Sequence, residues 1–264
     1  MNLFFIGDIV GKPGRRILLN DIHALRREYD IDMVIANGEN AAAGFGITEK
    51  ITNALLNGGV DVITSGNHAW DKREALEFIK HEPRLMRPYN YPEQTPGKGW
   101  HVATTASGVR VGILNIMGLV FVHPQLDCPF KAADEALDKH ADEADVIVMD
   151  FHAEASSEKM AMGWHVDGRI SAIVGTHTHI PTADERVLPG GTAYISDIGM
   201  TGCYDSVIGM DCKKSLIRFT EKLPERAEIA DGPASLCAVL IDIDENTGNS
   251  RSIERIRINE APRT

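Results

Sequence analysis

The apolar positions of this chain fall into short runs, and five of the runs end in the same kind of polar punctuation. Residues 3–6 are followed by Gly7-Asp8, residues 33–36 by Asn37-Gly38-Glu39-Asn40, and residues 60–64 by Ser65-Gly66-Asn67-His68. Residues 146–149 lead into Asp150-Phe151-His152, and residues 170–174 into Gly175-Thr176-His177-Thr178-His179. Short apolar runs bounded by glycine and polar side chains predict buried strands. After the first strand and a loop at Gly11-Lys12-Pro13-Gly14, Ile17, Leu18, Ile22 and Leu25 recur at helical spacing and end in Arg26-Arg27-Glu28. Thr48 is placed to cap a second helix carrying Ile51, Leu55 and Leu56, and residues 70–80 predict a third, with Asp71 and Glu74 near its start. Three successive strand–loop–helix units predict a parallel sheet with right-handed crossovers.

The rhythm breaks over residues 82–99, with Pro83, Pro88, Pro92 and Pro96, and Arg87-Pro88-Tyr89 reads as extended chain. Residues 100–105 and 109–116 then read as an antiparallel hairpin, 129–142 as a helix, and Ser156 or Ser157 as the cap of another. Residues 192–195 form a strand that runs into the glycine-rich loop Gly199-Met200-Thr201-Gly202, and residues 235–243 and 250–258 pair antiparallel around a turn at 245–249. No repeat, low-complexity block or linker divides the chain, so residues 1–264 are expected to form a single domain.

Composition narrows the partners more than the fold. The net charge of −11 disfavours a broad nucleic-acid surface, although a small phosphorylated substrate remains compatible because a bound metal supplies its own positive charge. Four unevenly spaced cysteines form no C-x-x-C pair and are expected to be reduced. The amino-terminal apolar run is shorter than a signal peptide's, and no run approaches a membrane span, so a cytoplasmic protein is expected.

In a parallel sheet the loops at the carboxyl ends of the strands share one edge, where ligands bind. Five strand ends therefore bring Asp8, Glu39, Asn40, Asn67, His68, His152, His177 and His179 to one rim. Each alone reads as a turn former, a cap or an ordinary histidine; their recurrence in one context points to a metal site. In extended chain, residues two apart share a side, so His177 and His179 are expected to face one volume. Imidazoles mixed with carboxylate and amide oxygens, and no thiolate, suit iron, manganese, zinc or cobalt. Seven ligands exceed the needs of one ion but fit two that share a carboxylate, for which Glu39 is the candidate. Two such ions can bind a phosphate, activate a water and stabilise an in-line displacement. A nearby imidazole outside the ligand set can protonate the leaving oxygen, and His68 is the candidate.

Asp8, Glu39-Asn40, Gly66-Asn67-His68, His152 and Gly175-x-His177-x-His179 together resemble the calcineurin-like metallophosphoesterase motif set, and the whole chain resembles its YmdB-like bacterial branch. Two departures mark the branch: Asp8-Ile9-Val10 stands where the wider superfamily has Asp-x-His, and Gly38-Glu39-Asn40 where it has Gly-Asp. The resemblance implies a four-layer α/β/β/α sandwich of two mixed sheets flanked by helices. It places Asp8, Glu39, Asn40 and His179 on one divalent ion and Glu39, Asn67, His152 and His177 on the other, with His68 as the acid. Iron or manganese is the expected metal. The implied substrates are small phosphodiesters such as 2′,3′-cyclic nucleotides, with links to RNA turnover and regulation, and a homo-oligomer is expected. Two alternatives stay open. One is a phosphomonoesterase or nucleotidase, whose dianionic substrate needs a basic partner such as Arg84, Arg87 or Arg169. The other is a regulatory nucleotide-binding protein in which hydrolysis is incidental. No substrate-binding residue and no role for the 201–209 loop can be named from the sequence.

Overall fold

In the computed structural model, which describes residues 1–260, the central strands are apolar on both faces because each is packed on two sides. Along β1 (Asn2–Ile6), Leu3 and Phe5 face a second sheet while Phe4 and Ile6 face helices. β1, β3 (Met33–Asn37) and β4 (Val62–Thr64) are parallel neighbours. The same sheet continues on the other side of β1 through β12 (Ala234–Ile243) and β11 (Met200–Cys203) to β2 (Asp8–Ile9), with β13 (Ser250–Asn259) also paired to β12. The second sheet has the order β5 (Trp100–Thr104), β6 (Arg110–Met117), β7 (Val146–His152), β8 (Ala172–Thr176), β10 (Ala193–Ile195), β9 (Arg186–Val187). Its β6, β7, β8 and β10 run parallel, while β5 and β9 pair antiparallel at the edges.

Three cores follow from this alternation. One lies between the first sheet and α1 (Gly11–Glu28) and α2 (Glu49–Asn57), and contains Ile17, Leu18, Ile22, Leu55 and Leu56. Another lies between the second sheet and α4 (Pro129–His140) and α5 (Ser156–Val166), and contains Ala133, Leu137, Met162 and Val166. The third joins the two sheets through Leu3, Phe5, Ile35, Val62, Ile113, Val148 and Val174. The result is the α/β/β/α sandwich of two mixed sheets.

Several elements differ from the sequence reading, each for a local reason. The loop expected at Gly11-Lys12-Pro13-Gly14 is the first turn of α1, where proline's missing N–H has no helical partner to lose. The helix expected over 70–80 shrinks to α3 (Ala75–Phe78), because the preceding residues form turns and the Asp71 carboxylate is used on His68. Thr48 does cap α2, accepting from the Ile51 N–H at 3.3 Å, but neither Ser156 nor Ser157 caps α5, which begins after Ala155. The glycine-rich stretch after β10 contains β11, and β7 continues through Asp150 to His152.

That last extension positions the site. On the faces turned toward the other sheet, Ile35 is succeeded by Asn37, Val62 by Thr64, Val148 by Asp150 and His152, and Val174 by Thr176. At the carboxyl ends of the strands the core between the sheets therefore turns polar while remaining buried.

Candidate metal centre

The floor of the site is a closed polar network. Asp150 accepts from Thr64 Oγ1 at 2.5 Å, from Thr176 Oγ1 at 2.7 Å and from Asn37 Nδ2 at 3.1 Å. Burial raises the Asp150 pKa. Because the Thr176 hydroxyl gives its proton to Asp150, its oxygen accepts from His152 Nδ1 at 2.9 Å. That bond fixes the imidazole with Nε2 facing the site, the arrangement by which outer carboxylates orient metal-ligating histidines. The sequence reading missed Asp150 and Thr176. Strand parity could have found Asp150, which sits two residues before His152 on the same face.

Around His152 Nε2 three acceptors converge: Asn67 Oδ1 at 2.9 Å, Glu39 Oε1 at 3.1 Å and His177 Nδ1 at 3.1 Å. One nitrogen carries at most one proton and cannot satisfy all three. The Nε2 of His177 lies 3.2 Å from Glu154 Oε2, which leaves Nδ1 as the free lone pair. The ligand atoms of Glu39, His152 and His177 all lie within 4.8 Å of one another.

A second cluster lies beyond Glu39. His179 Nδ1 donates to the Ile208 carbonyl at 2.9 Å, leaving Nε2 at 2.9 Å from Asn40 Nδ2 and 3.8 Å from Asp8 Oδ1. Asp8 Oδ1 and Asn40 Oδ1 are buried without a hydrogen-bond partner, which is costly unless a cation takes up the lone pairs. Glu39 lies between the clusters: Asn40 Nδ2 donates to its Oε1 at 3.4 Å and the His68 backbone N–H to its Oε2 at 3.2 Å. The eight nominated residues thus form one connected set. Two groups of surplus acceptors on either side of a shared carboxylate fit a pair of divalent ions, with Asp8, Asn40 and His179 on one side and Asn67, His152 and His177 on the other.

The two motifs need their glycines for space. A Cβ on Gly66 would lie 2.1 Å from the His152 ring, and one on Gly175 would lie 1.7 Å from the Ser196 carbonyl oxygen. The pair His177/His179 is not placed by strand alternation as expected. β8 ends at Thr176, and both histidines take left-handed backbone, with φ of 100° and 67°, so that each enters a different cluster. A buried ion pair holds this strained turn. Lys159 Nζ donates to the Thr176 carbonyl at 2.8 Å and to Asp197 Oδ2 at 2.7 Å, and Asp197 also accepts from the Thr178 N–H at 3.1 Å. Lys159 carried no signal in the sequence, and Asp197 stood out only as a polar residue after a strand end.

Burial pushes the Asp8 carboxyl up to about 6, against the pull of His179 and His152. Burial likewise opposes ionisation of Glu39, but the His152 charge and hydrogen bond outweigh it and hold the group well below its ordinary range. His177 is lowered to about 3 by burial and by the neighbouring His152 charge, which suits a neutral ligand. For His152, burial is overcome by the Glu39 charge and hydrogen bond, and its pKa rises to about 9. In the metal-free protein at neutral pH the His152 ring therefore carries a proton that an ion must displace. Metal affinity is expected to fall about tenfold for each pH unit below about 9, more steeply once Asp8 also protonates below about 6. Calorimetric titration at pH 7.5 in buffers of different ionisation enthalpy should show close to one proton released from this ring; uptake with no proton release contradicts the assignment.

Arg84, Arg87 and Arg169 lie outside the centre. Arg84 pairs with Glu82 at 2.7 Å and Arg169 with Asp134 at 2.6 Å, while Arg87 is buried and donates to the carbonyls of Pro88, Tyr89 and Thr95.

Comparison with known proteins is consistent with this geometry. Residues 4–256 match the family profile described as YmdB-like protein. A 2′,3′-cyclic-nucleotide 2′-phosphodiesterase from Bacillus subtilis (strain 168) is 50% identical over 260 residues, covering 98% of both chains. The crystal structure of a hypothetical protein from Thermus thermophilus superposes with a TM-score of 0.92 at 41% identity, covering 99% of this chain and 100% of that one. A structure described as a novel phosphatase from Mycoplasma pneumoniae gives a TM-score of 0.93 at 36% identity, covering 99% and 94%. The calcineurin-like phosphoesterase YfkN of Bacillus subtilis, 13% identical with a TM-score of 0.54 over 98% of this chain and 90% of that one, shares the fold.

Proposed function

The chain belongs to the YmdB-like protein family, and from that premise we propose that it is a phosphodiesterase that opens 2′,3′-cyclic nucleotides, acting through two divalent ions as one domain in the cytoplasm. The observation that carries this reading is the pair of acceptor clusters joined by Glu39. Asp8, Asn40 and His179 would hold one ion, Asn67, His152 and His177 the other, and Glu39 both. The nitrogen and oxygen donor set suits iron or manganese. When bound, the ions supply the positive charge that neutralises a phosphate and makes a water nucleophilic at neutral pH.

The protein's own groups do the rest. Glu39, Asp8 and the Asp150–Thr176–His152 relay fix the donors before substrate arrives, so little reorganisation is needed during the reaction. His68 stands beside the ligand set, its backbone N–H donating to Glu39, and its ring would give a proton to the departing ribose oxygen. No arginine or lysine is hydrogen-bonded to the proposed ligand side chains among the described residues, and Lys159, whose charge acts on His177, is committed to Asp197. A site without a spare cation suits a singly charged diester better than a doubly charged monoester.

The test is a comparison of bis-p-nitrophenyl phosphate with p-nitrophenyl phosphate on manganese-loaded protein, together with a 2′,3′-cyclic nucleotide. The diester and the cyclic nucleotide should each be cleaved at least about tenfold faster than the monoester, a difference of roughly 1.4 kcal/mol in activation free energy. A faster monoester would favour the phosphatase reading suggested by the Mycoplasma structure's description.

A further inference from the structure

We propose that Cys212 and Cys203 are a peroxide-sensitive thiol pair: Cys212 is oxidised first, and a disulfide then forms to Cys203 and loosens the His179 side of the metal centre. The pair itself stands on the placement of the sulfurs; only its effect on the centre rests on the two-ion reading above. Both sulfurs lie 3.9 Å from one atom, the carbonyl oxygen of Asp205, so they are no more than 7.8 Å apart. Both are free thiols, and they differ in access. Cys212 opens α6 (Cys212–Thr220) and is exposed, whereas Cys203 closes β11 and is 2% exposed. Burial pushes the Cys203 thiol up, which makes it the slower nucleophile. A small oxidant in solvent therefore meets Cys212, and Cys203 is the resolving thiol.

The two cysteines bracket residues 204–211, and this segment reaches the centre. Its Ile208 carbonyl accepts from His179 Nδ1 at 2.9 Å, the bond that leaves Nε2 facing Asn40 and Asp8. Ile208 holds that position in left-handed backbone, with φ of 48°. The segment is tied internally: Val207 and Met210 exchange backbone hydrogen bonds of 2.9 and 3.0 Å, and Ser206 Oγ donates to the Cys203 carbonyl at 2.6 Å while accepting from the Gly209 N–H at 2.8 Å. A disulfide holds its sulfurs about 2 Å apart. Bonding therefore draws the two ends of the segment together past the Asp205 carbonyl that both sulfurs now contact. A segment tied in this way moves as a unit and takes the Ile208 carbonyl with it.

The oxidant is hydrogen peroxide. The Cys212 sulfur bonds to one peroxide oxygen as the O–O bond breaks, giving a sulfenic acid, and the second oxygen leaves as water with the thiol proton. The Cys203 sulfur then bonds to the Cys212 sulfur as its S–O bond breaks, and the hydroxyl leaves as a second water with the Cys203 proton. Two thiols lose two electrons in all, and one peroxide is reduced to two waters. A dithiol reductant reverses the change.

Manganese-loaded protein would be treated with hydrogen peroxide, quenched with catalase and mapped by peptide mass spectrometry without reduction, beside Cys212→Ser, Cys203→Ala and Cys128→Ser. The wild type should yield an intrachain Cys203–Cys212 disulfide, two hydrogens lighter than the dithiol. Manganese affinity at one of the two sites should fall on the order of 10–100-fold, as when the partner orienting a metal-binding histidine is lost, and dithiothreitol should restore it. Cys212→Ser and Cys203→Ala should keep their affinity through the treatment, and Cys128→Ser should behave as wild type. Should Cys203→Ala fail to fold, Cys212→Ser, a change at the surface, carries the comparison. Free Cys203 and Cys212 in protein whose exposed Cys128 has been oxidised, disulfides between chains in place of this one, or a disulfide that leaves manganese binding unchanged would each overturn the proposal. Untreated protein that binds fewer than two ions yet forms the disulfide would instead remove the two-ion reading and leave the thiol pair standing.

Discussion

Replacing Glu39 by glutamine is expected to lower turnover by on the order of 10³-fold or more, since a buried charge lost from its partners costs about 3–5 kcal/mol. The side chain lies between the two clusters and contacts side chains of both. Its Oε1 is 3.1 Å from His152 Nε2 and 3.4 Å from Asn40 Nδ2, and its Oε2 accepts from the His68 N–H. Glutamine preserves the shape but brings an uncharged amide, so the centre would face two dications with Asp8 as its one remaining carboxylate among the proposed ligands. The fold should survive, because the hydrophobic cores lie elsewhere.

A signature in stability accompanies the loss. The Glu39–His152 pair stabilises the metal-free protein fully only below the ordinary histidine pKa of about 6.5 and loses that contribution as pH rises through about 9, the raised value of His152. The melting temperature of metal-free Glu39→Gln should therefore fall furthest below wild type near pH 6 and approach it near pH 9. Full activity of a metal-replete variant would sink the role given to Glu39.

His68→Ala should separate chemistry from binding. Metal content is expected to stay near wild type, because the imidazole is hydrogen-bonded to Asp71 and packed against Phe45 and not to the acceptor clusters. Turnover on a cyclic nucleotide should fall about 10²–10⁴-fold, the range for a positioned general acid. Elemental analysis beside the kinetics decides the matter: a variant that loses metal along with activity makes His68 a ligand and not the acid.

How much of this is legible in the letters depends on how local each determinant is. Apolar runs closed by glycine reveal the strands, and polar residues at their ends name the rim, because both signals lie within a few adjacent positions. In sequence β7 reads as ending at Met149, since Asp150 and His152 look too polar for a buried strand until their partners Thr64, Thr176 and Asn37, all remote in sequence, are in view. The same blindness hides the pairing of Lys159 with Asp197, 38 positions apart. For His177 and His179 the sequence points to the right residues for the wrong reason. Alternation along a strand would send them to one side, whereas left-handed turns direct them to two clusters. The helix expected over 70–80 shortens to Ala75–Phe78 because turns take up the residues before it and the Asp71 carboxylate is used on His68.

The most direct test of the account is anomalous diffraction from crystals grown with manganese or iron. Two peaks per chain are predicted, one bounded by Asp8, Asn40 and His179 and the other by Asn67, His152 and His177, with the Glu39 carboxylate between them. A single peak, or peaks away from these side chains, would contradict it.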